Sequence, residues 1–225
     1  DGIRDFCLSR GLGDVYKRQT LMSGKWHLSF FDKNQWPLQR GFDKFYGFIS
    51  GAGNYFRPEK PRFIFENNDK VEIDNEDFYT TDAFTDKAIE YIDEAKLINP
   101  ENPFFLYLSY NAPHWPLQAP RKNIDKYRGK YSNGWEVLRK ERYNRMIEMG
   151  LVDSSWELSY DDIVSWDSLS IQKKEEMDLR MAIYAAMIDR MDQNIGRLIE
   201  SLKIKKLYDN TIIMFLNDNG ACAEN

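Results

Sequence analysis

PFFLYLSYNAPHWP, residues 103–116, decides the fold. Its first eight residues form a run of aromatic and aliphatic side chains opened by Pro and closed by Asn. The run is too short for a helix and apolar on both faces, which predicts a buried strand. TIIMFLN, residues 211–217, reads the same way. On the near side of the first strand, TTDAFTDKAIEYIDEA (80–95) puts Phe84, Ala88, Tyr91, Ile92 and Ala95 on one stripe, an amphipathic helix with Thr80 or Thr81 able to cap it. On the far side, Met177, Met181, Tyr184, Ile188, Met191, Ile195, Leu198 and Leu202 alternate in steps of four and three. That seam suits a coiled coil or a long helix laid across a sheet, and the strand that follows favours the sheet. Strand, long crossover, helix and strand in that order predict an α/β fold with a mostly parallel central sheet flanked by helices.

The chain has 225 residues, 42% hydrophobic and 15% aromatic, enough to bury the core of one large domain. A formal charge of −5 argues against a general nucleic-acid binder, whose footprint is usually basic. No apolar run approaches the roughly 20 residues of a membrane span, and the opening residues lack the apolar core of a signal peptide. Cys7 and Cys222 imply no disulfide framework and leave the compartment open.

A long polar segment occupies residues 121–180. Residues 121–145 hold nine Lys or Arg against three acids, while 146–180 hold nine acids against three Lys or Arg. One reading is a helical insertion whose two halves compensate each other's charge. The other is a basic rim for anionic substrates, with Trp135, Trp156 and Trp166 available for stacking on a ring.

Ligands of open α/β sheets bind beyond the carboxyl ends of the strands. The strand at 103–110 runs out into Asn111-Ala112-Pro113-His114, and that at 211–217 into Asp218-Asn219-Gly220. Asp218 and Asn219 offer hard oxygen donors suited to calcium or magnesium. In GKWHL, residues 24–28, an extended backbone would place Lys25 and His27 on one face with Trp26 opposite, so that an ammonium and an imidazole converge on one anion. Each motif has a plainer reading as well. Asp-Asn-Gly is a common turn, a His beside Pro packs in many loops, and Lys25 with His27 suits a solvated edge strand.

GKWHL, RGFDKFYGFISGAGNYF (40–56), FYTTDAFTDKAIEYI, PFFLYLSYNAPHWP and LNDNG together resemble the type I sulfatases, the arylsulfatase-like branch of the alkaline phosphatase superfamily. The resemblance runs from about Thr20 to the end, and five motifs in order make it specific. Ser29 departs from it, standing where the family usually has Gly. The resemblance implies hydrolysis of sulfate monoesters by a formylglycine, made from Cys or Ser, whose hydrate attacks sulfur while Ca2+ or Mg2+ holds the sulfate. It assigns Lys25 to a sulfate oxygen and His27 to the formylglycine hydroxyl, where it assists breakdown of the covalent sulfate intermediate. It gives His114 to the leaving alcohol oxygen and Asp218 and Asn219 to the metal. Fixed cations and a proton donor are what the charge developing on those oxygens requires.

The resemblance also marks what these 225 residues lack. The paired aspartates of the family's first strand and its C-x-P-x-R or S-x-P-x-R nucleophile motif should precede GKWHL by several dozen residues, so the formylglycine is expected on a residue outside this chain. CLSRG at Cys7 has no Pro in the third place, and its Arg comes one position early. The opening nineteen residues, unlike the family, read as non-native, leaving 20–225 as an incomplete and inactive part of a catalytic domain with the polar insertion at about 121–180. Two other functions stay open: a phosphatase, phosphodiesterase or phosphonate hydrolase of the same superfamily, and a catalytically dead, glycan-binding relative. The partners implied are a sulfated polysaccharide or sulfated small molecule and a formylglycine-generating maturation enzyme, with no nucleic acid and no membrane span. Family habit points to the periplasm or export.

Overall fold

The computed structural model describes residues 18–159, 163–217, 219 and 220. The reading of the opening residues as non-native therefore lies almost wholly outside the described residues. The described residues fall into two compact units, one formed by those up to Gln118 with those from Ile188 onward, the other by Ala119–Met187.

The first unit holds β1 (Gln19–Lys25), β2 (Lys44–Phe48), β3 (Ile64–Glu66), β4 (Asp69–Val71), α1 (Thr80–Ile98) and β5 (Phe104–Ser109). They form one sheet in the order β4-β3-β2-β1-β5. β1 pairs in parallel with both β2 and β5, while β3 and β4 add an antiparallel extension. The sheet is thus mixed around a parallel centre. β1 carries buried side chains on both faces, as a central strand of a parallel sheet must. Leu21 faces a cluster with Tyr46, Phe48, Phe84, Tyr91 and Ile92, and Met22 faces another with Phe42, Phe45 and Ile49.

At the carboxyl edge the strands approach closely through two glycines. A Cβ on Gly24 (φ +121°) would lie 1.9 Å from the Ser109 carbonyl oxygen, and one on Gly47 (φ +149°) 1.8 Å from that of Gly24. Only glycine tolerates both the contact and the positive φ.

The predicted helix at 80–95 forms as α1 and runs three residues further. Tyr79 occupies its N-cap without a side-chain bond, and Thr80 and Thr81 lie buried inside the first turn rather than capping it. α1 is tied to the sheet by Ser23, whose buried hydroxyl donates to the Phe84 carbonyl at 2.8 Å. The predicted seam lies within a single helix, α4 (Ile171–Ile204), which follows α2 (Arg121–Asp125) and α3 (Trp135–Glu148) in the chain. Its later turns pack Leu198 and Leu202 against the α1 cluster. Arg190 grips Asp82 of α1 through two bonds, Nε to Oδ1 at 2.8 Å and Nη2 to Oδ2 at 2.7 Å, and Asn194 Nδ2 adds a third to Oδ1 at 2.6 Å.

The second predicted strand does not form. Residues 211–217 belong to no regular element, and Ile212, Met214, Phe215 and Leu216 are at least 70% exposed. A strand exists by pairing, and the described sheet ends at β5 with no neighbour laid against that run.

The second unit contains α2 (Arg121–Asp125), α3 (Trp135–Glu148) and the first turns of α4. Trp135 and Trp166 meet edge to face at 5.0 Å, with Trp166 buried, while Glu136 accepts the Trp166 amide at 2.9 Å. Asp178 accepts the backbone amides of Gly129 and Tyr131, each at 2.8 Å. Two of the three tryptophans are therefore packing residues, and only Trp156 is largely exposed. Among the described residues no helix is long and apolar enough to cross a membrane.

Candidate active site

The parallel strands β1, β2 and β5 end at one edge, where Gly24 pairs with both Gly47 and Ser109. Lys25 is the last residue of β1. Beyond it the ladder to β2 continues, Trp26 N donating to the Phe48 carbonyl at 2.8 Å and His27 N to that of Ile49 at 3.1 Å. Trp26 turns away into the Phe42 cluster, its indole N–H donating to the Gln35 carbonyl at 2.8 Å. His27 takes a left-handed backbone (φ 56°), so its departure from the strand is a bend and not the plain extended alternation expected of GKWHL. The bend sets the imidazole against Gly51, where a Cβ would lie 2.3 Å from Nε2.

His114 reaches the same edge from the loop after β5. Its backbone N–H donates to the Asn111 carbonyl at 2.8 Å, and Tyr55, fully buried, holds its hydroxyl 2.9 Å from the carbonyls of both Asn111 and His114. Burial drives the Tyr55 phenol pKa well above its ordinary value, so the hydroxyl keeps the proton it donates. His114 Nδ1 lies 2.7 Å from the Trp115 carbonyl. A carbonyl only accepts, so Nδ1 carries the hydrogen and Nε2 is left for a ligand. Asn111 is buried, with neither amide atom partnered among the described residues.

Among the described residues, the charged groups that act on His27 are all positive. Burial lowers the His27 pKa first, then the positive groups Lys25, His114 and Arg62 lower it further. His27, Phe30, Phe31, Ser50, Gly51 and Arg62 help line a groove of about 440 Å³ with no carboxylate among its lining residues. Neither Lys25 nor Arg62 has an ion-pair partner among the described residues. A cluster of cations without acids is a place for an anion.

The structure thus brings Lys25, His27 and His114 to one edge. It does not bring Asn219 to them as a sheet residue: Asn219 follows the unpaired 211–217 run, is exposed, and donates from Nδ2 to the Gly220 carbonyl at 2.6 Å. Asp218 lies outside the described residues. Among the described residues no group of three or more His, Cys, Asp or Glu could hold a metal ion. Since calcium takes six to eight oxygens, Asp218 and Asn219 alone do not fit a metal site. Sequence reading missed Arg62, which carries no motif, and Tyr55, whose part in the His114 loop is visible only once the two segments meet.

A family model described as Sulfatase matches residues 9–225. An uncharacterized sulfatase of Schizosaccharomyces pombe is 38% identical over 217 residues, covering 90% of this chain and 38% of that protein. An arylsulfatase of Klebsiella aerogenes is 32% identical over 211 residues, covering 90% of this chain and 44% of its own length. The chain thus spans about two fifths of these relatives. Among solved structures, Ps i-CgsB in complex with a neocarrahexaose superposes with a TM-score of 0.58 at 25% identity, covering 90% of this chain and 37% of that one.

Proposed function

Because the chain belongs to the sulfatase family, we propose that the protein it represents hydrolyses sulfate monoesters and that Lys25, His27 and His114 bind and turn over the sulfate group. The observation that carries this is the gathering of Lys25, His114 and Arg62 around His27 at one carboxyl edge, where His27 and Arg62 line a groove with no carboxylate among its lining residues. Lys25 Nζ, at the end of β1 and without an ion-pair partner among the described residues, meets a sulfuryl oxygen. His27, its pKa lowered by burial and its cationic neighbours, contacts the formylglycine hydroxyl and takes its proton as the covalent sulfate intermediate breaks down. His114, with Nδ1–H fixed on the Trp115 carbonyl, presents Nε2 to the leaving oxygen and in its protonated form supplies the proton.

The nucleophile, a formylglycine produced by a maturation enzyme, is supplied from outside these 225 residues. Asp218 and Asn219 contribute to a Ca2+ or Mg2+ site completed by other carboxylates of the parent protein, and no step above runs through that ion. A sulfated carbohydrate is the substrate class best supported, since Ps i-CgsB was solved with a neocarrahexaose and a relative from Bacteroides thetaiotaomicron is an N-acetylglucosamine-6-O-sulfatase. Export to the periplasm or medium accompanies this reading.

The test uses the two histidines as reporters. Titration of the chain with sodium sulfate should shift both the His27 and His114 imidazole signals in NMR, with Lys25→Ala weakening the response. Unmoved histidine signals would remove the sulfate site. In the parent enzyme, faster cleavage of 4-nitrophenyl phosphate than of 4-nitrophenyl sulfate would favour the phosphatase reading.

A further inference from the structure

Lys25, His114 and Arg62 all act on His27, and of these three Arg62 alone lines the groove beside the ring. It does not come from a strand end, as Lys25 and His27 do, but from the segment just before β3. Its guanidinium is exposed and has no partner among the described residues. Opposite in sequence but lining the same groove stand Phe30 and Phe31, edge to face at 5.3 Å, with Phe31 97% exposed. An aromatic ring left so fully in water, beside an unpaired planar cation, is the pairing that grips a ring bearing an anionic substituent. The ester sulfate already has Lys25 and two imidazoles, which leaves Arg62 without a role in holding it.

Resting on the sulfate-site reading above, we propose that Arg62 with Phe30 and Phe31 forms a second anion subsite in the His27 groove. It selects sulfate esters whose ring carries a further anionic group, a carboxylate or a second sulfate. The guanidinium receives that group through two parallel N–H donors, and the Phe31 face covers the ring.

The experiment is calorimetric titration of the full chain with glucosamine 2-N,6-O-disulfate and with glucosamine 6-O-sulfate. The chain should prefer the disulfate by about tenfold, the size of one charge-assisted bidentate contact. Arg62→Ala should bring that ratio close to one, Arg62→Lys should restore part of it, and Phe31→Ala should weaken both sugars. Arg57→Ala, which removes an exposed cation outside the groove lining, controls for net charge and should leave the ratio in place. A ratio unchanged in Arg62→Ala, or lost equally in Arg57→Ala, overturns the subsite. Equal binding of the two sugars by the unmodified chain overturns the subsite alone, whereas binding of neither removes the sulfate site beneath it.

Discussion

His27 is where sequence, backbone and charge meet. Its imidazole is kept neutral by partial burial and by Lys25, His114 and Arg62, so its pKa lies below the ordinary histidine value near 6.5. Removing a neighbouring cation favours the protonated ring, and Lys25→Gln should therefore raise the His27 pKa, measured by NMR titration of the ring. A bound sulfate acts in the same direction, because its negative charge offsets the cations. Anion binding should then take up a proton: affinity is greatest below the pKa of the free site, falls as pH rises through the pKa of the bound site, and is level above it. Sulfate affinity that rises with pH across this window would show that His27 does not face the anion. Gly51 belongs to the same account, since a methyl group there would enter the space the ring occupies.

Among the elements, α1, α4 and β5 were legible because their patterns are carried by the residues themselves: a stripe on one helix face, a seam of fours and threes, a short run apolar on both sides. The burial expected of β5 is not met: it is an edge strand of the described sheet, none of its residues is fully buried, and Tyr107 is exposed. Residues 211–217 carry the same kind of pattern as β5 and still form no strand. A hydrophobic run states that it needs burial, not where its partner lies, and the partner must come from another segment. The same limit hid the antiparallel β3 and β4, three residues each, too short to show any period. It also hid the left-handed bend at His27, which depends on the closeness of β1, β2 and the Gly51 segment. The exposed run has a measurable consequence. Ile212, Met214, Phe215 and Leu216 form a stretch of high β-propensity without charge, so this chain should associate in a concentration-dependent way. Met214→Lys with Phe215→Lys should raise the soluble fraction, seen by light scattering, with little change in melting temperature, because neither side chain is buried. A large drop in melting temperature would instead show that the run packs against the folded unit.

On the function proposed for it, the whole chain holds groups that would grip a sulfate ester and no recognisable motif for the group that would attack it. Lys25, His27 and His114 stand at one edge, and each has a local reason to be there: the end of β1, the bend against Gly51, and a loop fastened by Tyr55. What the 225 residues do not contain is a C-x-P-x-R or S-x-P-x-R sequence, and the segment around Cys7 departs from that pattern at two of its three fixed places. Binding and polarising groups without a nucleophile leave catalysis orders of magnitude below that of a complete site. The purified chain should therefore bind sulfate while releasing no 4-nitrophenol from 4-nitrophenyl sulfate above the buffer rate, before or after treatment with a formylglycine-generating enzyme. Cys7→Ala should change neither result. Turnover that appears on treatment and disappears in Cys7→Ala would make Cys7 the nucleophile after all. Turnover that persists in Cys7→Ala would mean that sulfate transfer here does not use a formylglycine, and the roles given to His27 and His114 would have to be assigned anew.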